Sequence, residues 1–117
     1  MKYNKSKISI VIPTKNEAEG LAKIIRSVKR YASEIIVVDG HSNDNTKEIA
    51  GKEGTKFTLD HGIGRGDAVR LGIKKAKGEI IVLFDADGSH DAKDIPSLVM
   101  PILNKKAELV ISSRRTG

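Results

Sequence analysis

Three short apolar runs limit what this chain can fold into: Ile8 to Ile12, broken only by Ser9, then Ile35-Ile36-Val37-Val38, then Ile80 to Phe84. Each is too short for a buried helix and lacks the polar alternation of a half-exposed strand, so all three read as strands covered on both faces. Between the first two, Leu21, Ile24, Ile25 and Val28 recur at helical spacing and predict a helix from about Glu17 to Tyr31 with one apolar face. Asn43 and Asp44 stand where they can cap a second, short helix through about Lys52, which Gly54 ends. Lys56 to Leu59 is a weaker strand, and Ala68, Val69, Ile73 and Ala76 mark a third helix with Gly78 as its expected C-cap. Asp91 to Lys105 has a helical pattern but carries Pro96 and Pro101, so a break is expected near the second proline. Leu109 to Ser112 is the last strand.

Strands that alternate with amphipathic helices specify an α/β fold, a parallel-centred sheet with helices on both faces. The 117 residues allow one domain, 1–117, and no second one. With 38% apolar and 31% charged residues the chain has the balance of a folded globular protein rather than a disordered one. No apolar run approaches the roughly 20 residues of a membrane helix, and Met1-Lys2-Tyr3-Asn4-Lys5 leads into a strand rather than a signal-peptide core. The expected compartment is the cytoplasm. The absence of cysteine excludes disulfides, thiolate metal sites and cysteine nucleophiles, so any metal must be held by oxygen or histidine. A net charge of +6 points to an anionic partner, while aromatics at only 3% argue against a nucleic-acid binder that stacks bases. Phosphates and lipid head groups are the favoured anions.

In an open parallel sheet ligands sit beyond the carboxyl ends of the strands, where the strand order reverses. That directs attention to Pro13 to Glu17, Asp39 to Asp44, Asp60 to Asp67 and Asp85 to Asp91. Asp85-Ala86-Asp87 follows a buried strand directly, and two carboxylates one residue apart on a turn can share one hard cation, Mg2+ or Mn2+. Acids at strand ends are also ordinary capping and turn residues, which accounts for Asp91 but not for the adjacent pair. Asp39 could accept hydrogen bonds from a nucleoside base or ribose, or could simply be a turn aspartate beside Gly40; the residues alone do not choose. Gly62-Ile63-Gly64-Arg65-Gly66 lets backbone amides and a guanidinium approach phosphates, and is equally the composition of a mobile turn. Pro13-Thr14-Lys15-Asn16-Glu17 joins a strand end to a helix start, suited to an anion or base edge and equally to simple capping. His41, His61 and His90 are scattered over three loops and read as solvated residues, and the lysines at Lys74-Lys75-Lys77 and Lys105-Lys106 as solvated helix faces.

Taken together, ISIVIPTKNE, EIIVVDGHSNDNT, GIGRGDAVRLGIKKAKGEIIVLFDADGSHD and LVISSRR resemble glycosyltransferase family 2, in the family's order and spacing over nearly the whole chain. The resemblance implies a Rossmann-like GT-A fold that binds a nucleoside-diphosphate sugar. Pro13, Thr14 and Glu17 would line the nucleoside pocket and Asp39 would contact the base. Arg65 and Asp67 would flank the nucleotide, and Asp85 and Asp87 would be the metal-binding DXD pair. Ser89 stands where some relatives add a metal or phosphate contact, and Arg114 matches an arginine that faces the donor phosphates or the acceptor. The DADGSHD stretch and the glycine loop look most like the polyprenyl-phosphate sugar transferases, whose acceptor is a lipid phosphate at the membrane surface.

Two departures stand out: Gly40 where many relatives have a second acid, and Arg65 in place of the commoner lysine, which keeps the charge but changes the contact geometry. Such relatives continue past the position of Gly117 with an acceptor-binding half, so the expectation is a donor-binding half, incomplete at its C-terminus and able to self-associate through uncovered apolar surface. The reaction implied is inverting, metal-dependent transfer of the sugar to an acceptor oxygen. Two alternatives stand beside it: a non-catalytic donor-binding fragment, and a phosphatase of the haloacid-dehalogenase type, whose nucleophile motif Phe84-Asp85-Ala86-Asp87-Gly88-Ser89 also resembles.

Overall fold

The computed structural model of the protein describes residues 3–103 and the backbone of 109–112. The strands β1 (Ile8–Thr14), β2 (Glu34–Asp39), β3 (Lys56–Leu59), β4 (Ile80–Leu83) and β5 (Leu109–Ser112) form one sheet in the order β3-β2-β1-β4-β5, with every pairing parallel. The three apolar runs are the three inner strands, which explains their lack of alternation. β3 is an edge strand, and its residues are exposed or half-buried.

Successive side chains of each inner strand feed opposite layers. Ile8, Ile10 and Ile12 join Ile35, Val37 and Val82 beneath α1 (Ala18–Val28), α2 (Thr46–Lys52) and α4 (Ile95–Val99). Val11, Ile36, Val38 and Ile81 meet α3 (Arg65–Lys75) on the other side, through Ala68 and the partly buried Leu71 and Ile73. Helices therefore cover both faces. Leu21, Ile25 and Val28, all fully buried, tie α1 to the sheet, each contributing roughly 1.5–3 kcal/mol of apolar burial.

Three local expectations are modified. The first helix ends at Val28 and tightens into a 3-10 turn over Lys29–Tyr31. The proline-bearing segment is three short pieces, a 3-10 turn Ala92–Asp94, α4, and a second 3-10 turn Met100–Ile102. Pro96 falls in the first turn of α4, where its missing N–H is harmless, and the change of helix type comes at Pro101. Gly78 is not the C-cap of α3; that position is Ala76. A Cβ at Gly78 would lie 2.7 Å from the Ser9 amide nitrogen and 2.8 Å from the Lys7 carbonyl, so glycine is required here by close approach to β1.

β2 and β3 wind to one side of β1, β4 and β5 to the other. The reversal point is the gap between β1 and β4. Among the described residues no helix is long and apolar enough to cross a membrane.

Candidate functional site

At that reversal point, beyond the carboxyl ends of the strands, opens a cleft of about 420 Å3, within the roughly 300–1,000 Å3 usual for small-molecule sites. Pro13, Thr14 and Glu17 form one wall, Arg65 and the glycine loop a second, Asp85 and Asp87 the third. Six of the expected site residues thus converge from segments far apart in sequence.

Asp85 is the most constrained of them. It follows Phe84, whose amide donates to the Val11 carbonyl (2.9 Å) and so continues the β1–β4 ladder one step past the strand. Its carboxylate is nearly buried, and each oxygen has a different partner. Oδ1 accepts from Arg65 Nε (3.1 Å) and from an Arg65 terminal nitrogen (2.7 Å); Oδ2 lies 3.1 Å from His90 Nε2. Gly88, at φ +83°, then turns the chain, and the Ser89 amide donates to Asp87 Oδ1 (2.9 Å), fixing the second acid. Ser89 itself does not line this cleft; it borders an adjoining groove between α1 and the segment 87–93.

Among the described residues no group of three or more histidine or acidic side chains converges as a ready-made metal cage. Two carboxylates fit the sparser pattern of Mg2+-type sites, in which phosphate oxygens and water complete the shell. The guanidinium on Asp85 shows that this carboxylate accepts a cation from the cleft side.

On the β1 wall, the Thr14 hydroxyl is buried and has no hydrogen-bond partner among the described residues, a cost of about 1–3 kcal/mol that a ligand in the cleft could relieve. Thr14 stands in register with Asp39, but Asp39 does not line the cleft. The carboxylate is 3% exposed and is satisfied within its own loop: Oδ2 accepts from the Ser42 amide (3.1 Å) and Oδ1 from the Ser42 hydroxyl (2.5 Å). The same loop is tied to the first: the Asn16 amide donates to Ser42 Oγ (2.7 Å) and the Asn43 amide to Asn16 Oδ1 (2.8 Å). Asp44 accepts from the Ala18 amide as well as from Thr46, serving the starts of α1 and α2 together.

The cleft residue on this side is instead Gly40, and across it lies Asp60. A Cβ at Gly40 would come within 3.4 Å of Asp60 Oδ2, so a carboxylate from the end of β3 reaches the position beside residue 40. Asp60 Oδ1 accepts from the Gly62 amide (2.7 Å), holding the glycine loop against the strand. Asp67 serves the loop in the same way rather than lining the cleft. It accepts from the His61 amide (2.6 Å) and faces His61 Nδ1 at 2.8 Å, and these bonds hold its carboxyl below the usual carboxylate range.

Two of the three histidines, His41 and His61, are solvated as expected, though each has a polar neighbour, and His90 is the exception. His41 Nε2 lies 2.7 Å from the Asp60 carbonyl, His61 pairs with Asp67, and the His90 side chain is wholly buried, its ring 5.0 Å from that of Phe84. Arg114 lies outside the described residues. Sequence reasoning missed Asp60 and His90. Asp60 sat inside the flagged loop with nothing in its type to separate it from Asp67, and no local signal distinguishes His90 from the other two.

Residues 9–117 match the sequence pattern of glycosyl transferase family 2. An uncharacterised glycosyltransferase of Mycobacterium tuberculosis is 36% identical over 92% of this chain and 49% of its own length. A dolichol-phosphate mannosyltransferase of Pyrococcus furiosus is 35% identical over 92% of this chain and 33% of its own. The crystal structure of glucosyl-3-phosphoglycerate synthase from M. tuberculosis, in complex with Mn2+, uridine diphosphate and glucosyl-3-phosphoglycerate, aligns with a TM-score of 0.75 at 26% identity, over 86% of this chain and 41% of that one. The chain spans about half the length, or less, of these relatives. The phosphatase reading rested on Phe84 to Ser89 alone and gives way to a match of this extent. With its parallel sheet, its cleft at the β1–β4 reversal and the carboxylates of Asp85 and Asp87 in that cleft, the chain belongs to glycosyltransferase family 2, in the GT-A fold.

Proposed function

We propose that this chain is the donor-binding part of an inverting, metal-dependent glycosyltransferase and that the cleft takes a nucleoside-diphosphate sugar. The observation that carries this reading is Asp85. A nearly buried carboxylate at the reversal point of the sheet already holds a cationic side chain from the cleft, 2.7 Å away. The nucleoside end would lie along Pro13, Thr14 and Glu17, where the Thr14 hydroxyl, without a partner among the described residues, is available to it. Asp60 Oδ2, beside Gly40, offers that end an acceptor and takes the place proposed from sequence for Asp39.

Asp85 and Asp87 would hold the divalent ion, with Ser89 acting through its amide on Asp87 rather than as a direct ligand. Bound there, Mg2+ or Mn2+ supplies Lewis-acid neutralisation of charge on the departing diphosphate. Arg65 adds a guanidinium at the first residue of α3, where it can fork onto phosphate oxygens beside the helix N-terminus. An acceptor oxygen then forms a bond to the anomeric carbon from the face opposite the diphosphate, the C1–O bond breaks, and its electrons leave on the phosphate oxygen. The likeness to a dolichol-phosphate mannosyltransferase supports a lipid phosphate as acceptor, as does the net charge of +6. Such an acceptor is ionised at neutral pH and needs no strong general base.

Ligand-observed NMR with UDP-sugars and GDP-sugars in Mg2+ tests the reading. Saturation transfer to ribose and base protons of at least one donor, lost on Thr14→Val with Arg65→Ala, is expected. No transfer to any donor would overturn it.

A further inference from the structure

The two oxygens of Asp85 are held by groups of opposite character. His90 has a side chain with no solvent exposure, packed against the ring of Phe84, itself 2% exposed. A carboxylate can only accept, so His90 Nε2 is the donor to Oδ2. The packing of the His90 ring on Phe84 holds that contact in place at the floor of the groove between α1 and the segment 87–93. Arg65 is the reverse. Its side chain is half exposed, it begins α3 directly after Gly64 at φ +114°, and it places a cation at a helix N-terminus, where the macrodipole disfavours one. The ion pair with Asp85 offsets that penalty, and so would any other anion in the cleft.

We infer that His90 is a positioning residue that permanently holds Oδ2 of Asp85, and that Arg65 is an exchangeable placeholder on Oδ1, the oxygen that a divalent ion takes over. This rests on the proposed donor-binding role of the cleft. An ion arriving alone must displace the guanidinium and leave it without a partner. An ion arriving with a diphosphate need not, because the phosphate oxygens supply both further ligands for the ion and a new bidentate partner for Arg65. Ion and nucleotide therefore bind with strong positive coupling, and by linkage the coupling is reciprocal.

The test uses the chain as it is, titrated with Mn2+ alone by electron paramagnetic resonance, then with a nucleoside diphosphate by calorimetry with and without Mn2+. Arg65→Gln should tighten binding of Mn2+ alone by about five- to tenfold, while reducing the factor by which Mn2+ improves nucleotide binding. His90→Ala should weaken Mn2+ binding about 10- to 100-fold whether or not nucleotide is present, and His90→Gln, which keeps a donor, should recover much of it. Circular dichroism and a thermal melt of each variant separate these effects from unfolding. Should the unsubstituted chain bind no nucleoside diphosphate with or without Mn2+, the donor-binding reading fails and this inference with it. Should it bind one equally with and without Mn2+, the cleft still binds the nucleotide but the metal role of Asp85, and with it this inference, fails. If nucleotide binding depends on Mn2+ but Arg65→Gln leaves affinity for Mn2+ alone unchanged or weaker, the placeholder is wrong and the donor site stands. Equal losses in His90→Ala and His90→Gln, with both folded, would overturn the positioning role.

Discussion

The ends of β2 and β4 make a useful pair. Each has a buried aspartate at or just past it, at the same edge of the same sheet: Asp39, the last residue of β2, is 3% exposed, and Asp85, two residues beyond β4, is 9% exposed. Asp39 spends both oxygens on Ser42, three residues along the chain, and so closes a turn. Asp85 spends its oxygens on Arg65, twenty residues earlier, and on His90, and it faces the cleft. A carboxylate satisfied within its own loop is part of the scaffold. One satisfied by a distant, half-exposed cation has a lone pair that something else can take.

The largest effect expected from this contrast is on ligand binding. Asp85→Asn should weaken metal-assisted binding of a nucleoside diphosphate by more than about 100-fold, since even residues behind a metal ligand are worth about 10- to 100-fold. The thermal melt should move little, because the Arg65 it releases is half exposed. Asp39→Ala should behave in the opposite way. Removing the acceptor of two Ser42 bonds costs about 1–3 kcal/mol by chemical denaturation and leaves the metal dependence of binding as it was. Ser42→Ala sharpens the point at smaller amplitude, at about 0.5–1.5 kcal/mol, because the backbone donor to Asp39 survives. Equal binding losses in Asp39→Ala and Asp85→Asn would erase the distinction.

Acid provides a gentler perturbation of the scaffold. Thr46 holds the Asp44 carboxyl below its ordinary range, and His61 does the same for Asp67. At Glu34 burial pushes the carboxyl up, but bonds from Lys56, the Lys77 amide and Ser9 outweigh it and leave it lowered. A group lowered in the folded state contributes stability above its unfolded value, about 4, and loses it as pH falls through the folded value. Denaturant midpoints should therefore be flat from pH 7 to about 5 and fall below about 4. A midpoint that rises on acidification would contradict these assignments.

Much of the fold was legible because its signal is local. Ile8, Ile10 and Ile12 against Val11 announce a strand covered on both sides whatever surrounds it, and Leu21, Ile25 and Val28 announce the face of α1. The site was legible in part: the cleft contains Pro13, Thr14, Glu17, Arg65, Asp85 and Asp87, whereas Asp39, Asp67 and Ser89 stand beside it in supporting positions. The difference lies in hydrogen bonding through space. Nothing in Asp39-Gly40-His41-Ser42 says that Ser42 will turn back, and nothing in the loop at Asp60 says that Oδ2 will reach Gly40. His90 was misread for the same reason, since its burial depends on Phe84 and on how the chain turns at Gly88. Gly78, read as a cap, is explained by Ser9, which lies 69 residues away in sequence.

The most direct test of the central assignment is the ratio of nucleoside-diphosphate affinities in Mn2+ and in chelator, measured by calorimetry on the unsubstituted chain, Asp39→Ala and Asp87→Asn. The DXD reading predicts a large ratio for the first, the same ratio for the second despite its lower stability, and a ratio near one for the third. Equal affinities with metal and with chelator in the unsubstituted chain, or a ratio that survives Asp87→Asn unchanged, would contradict it.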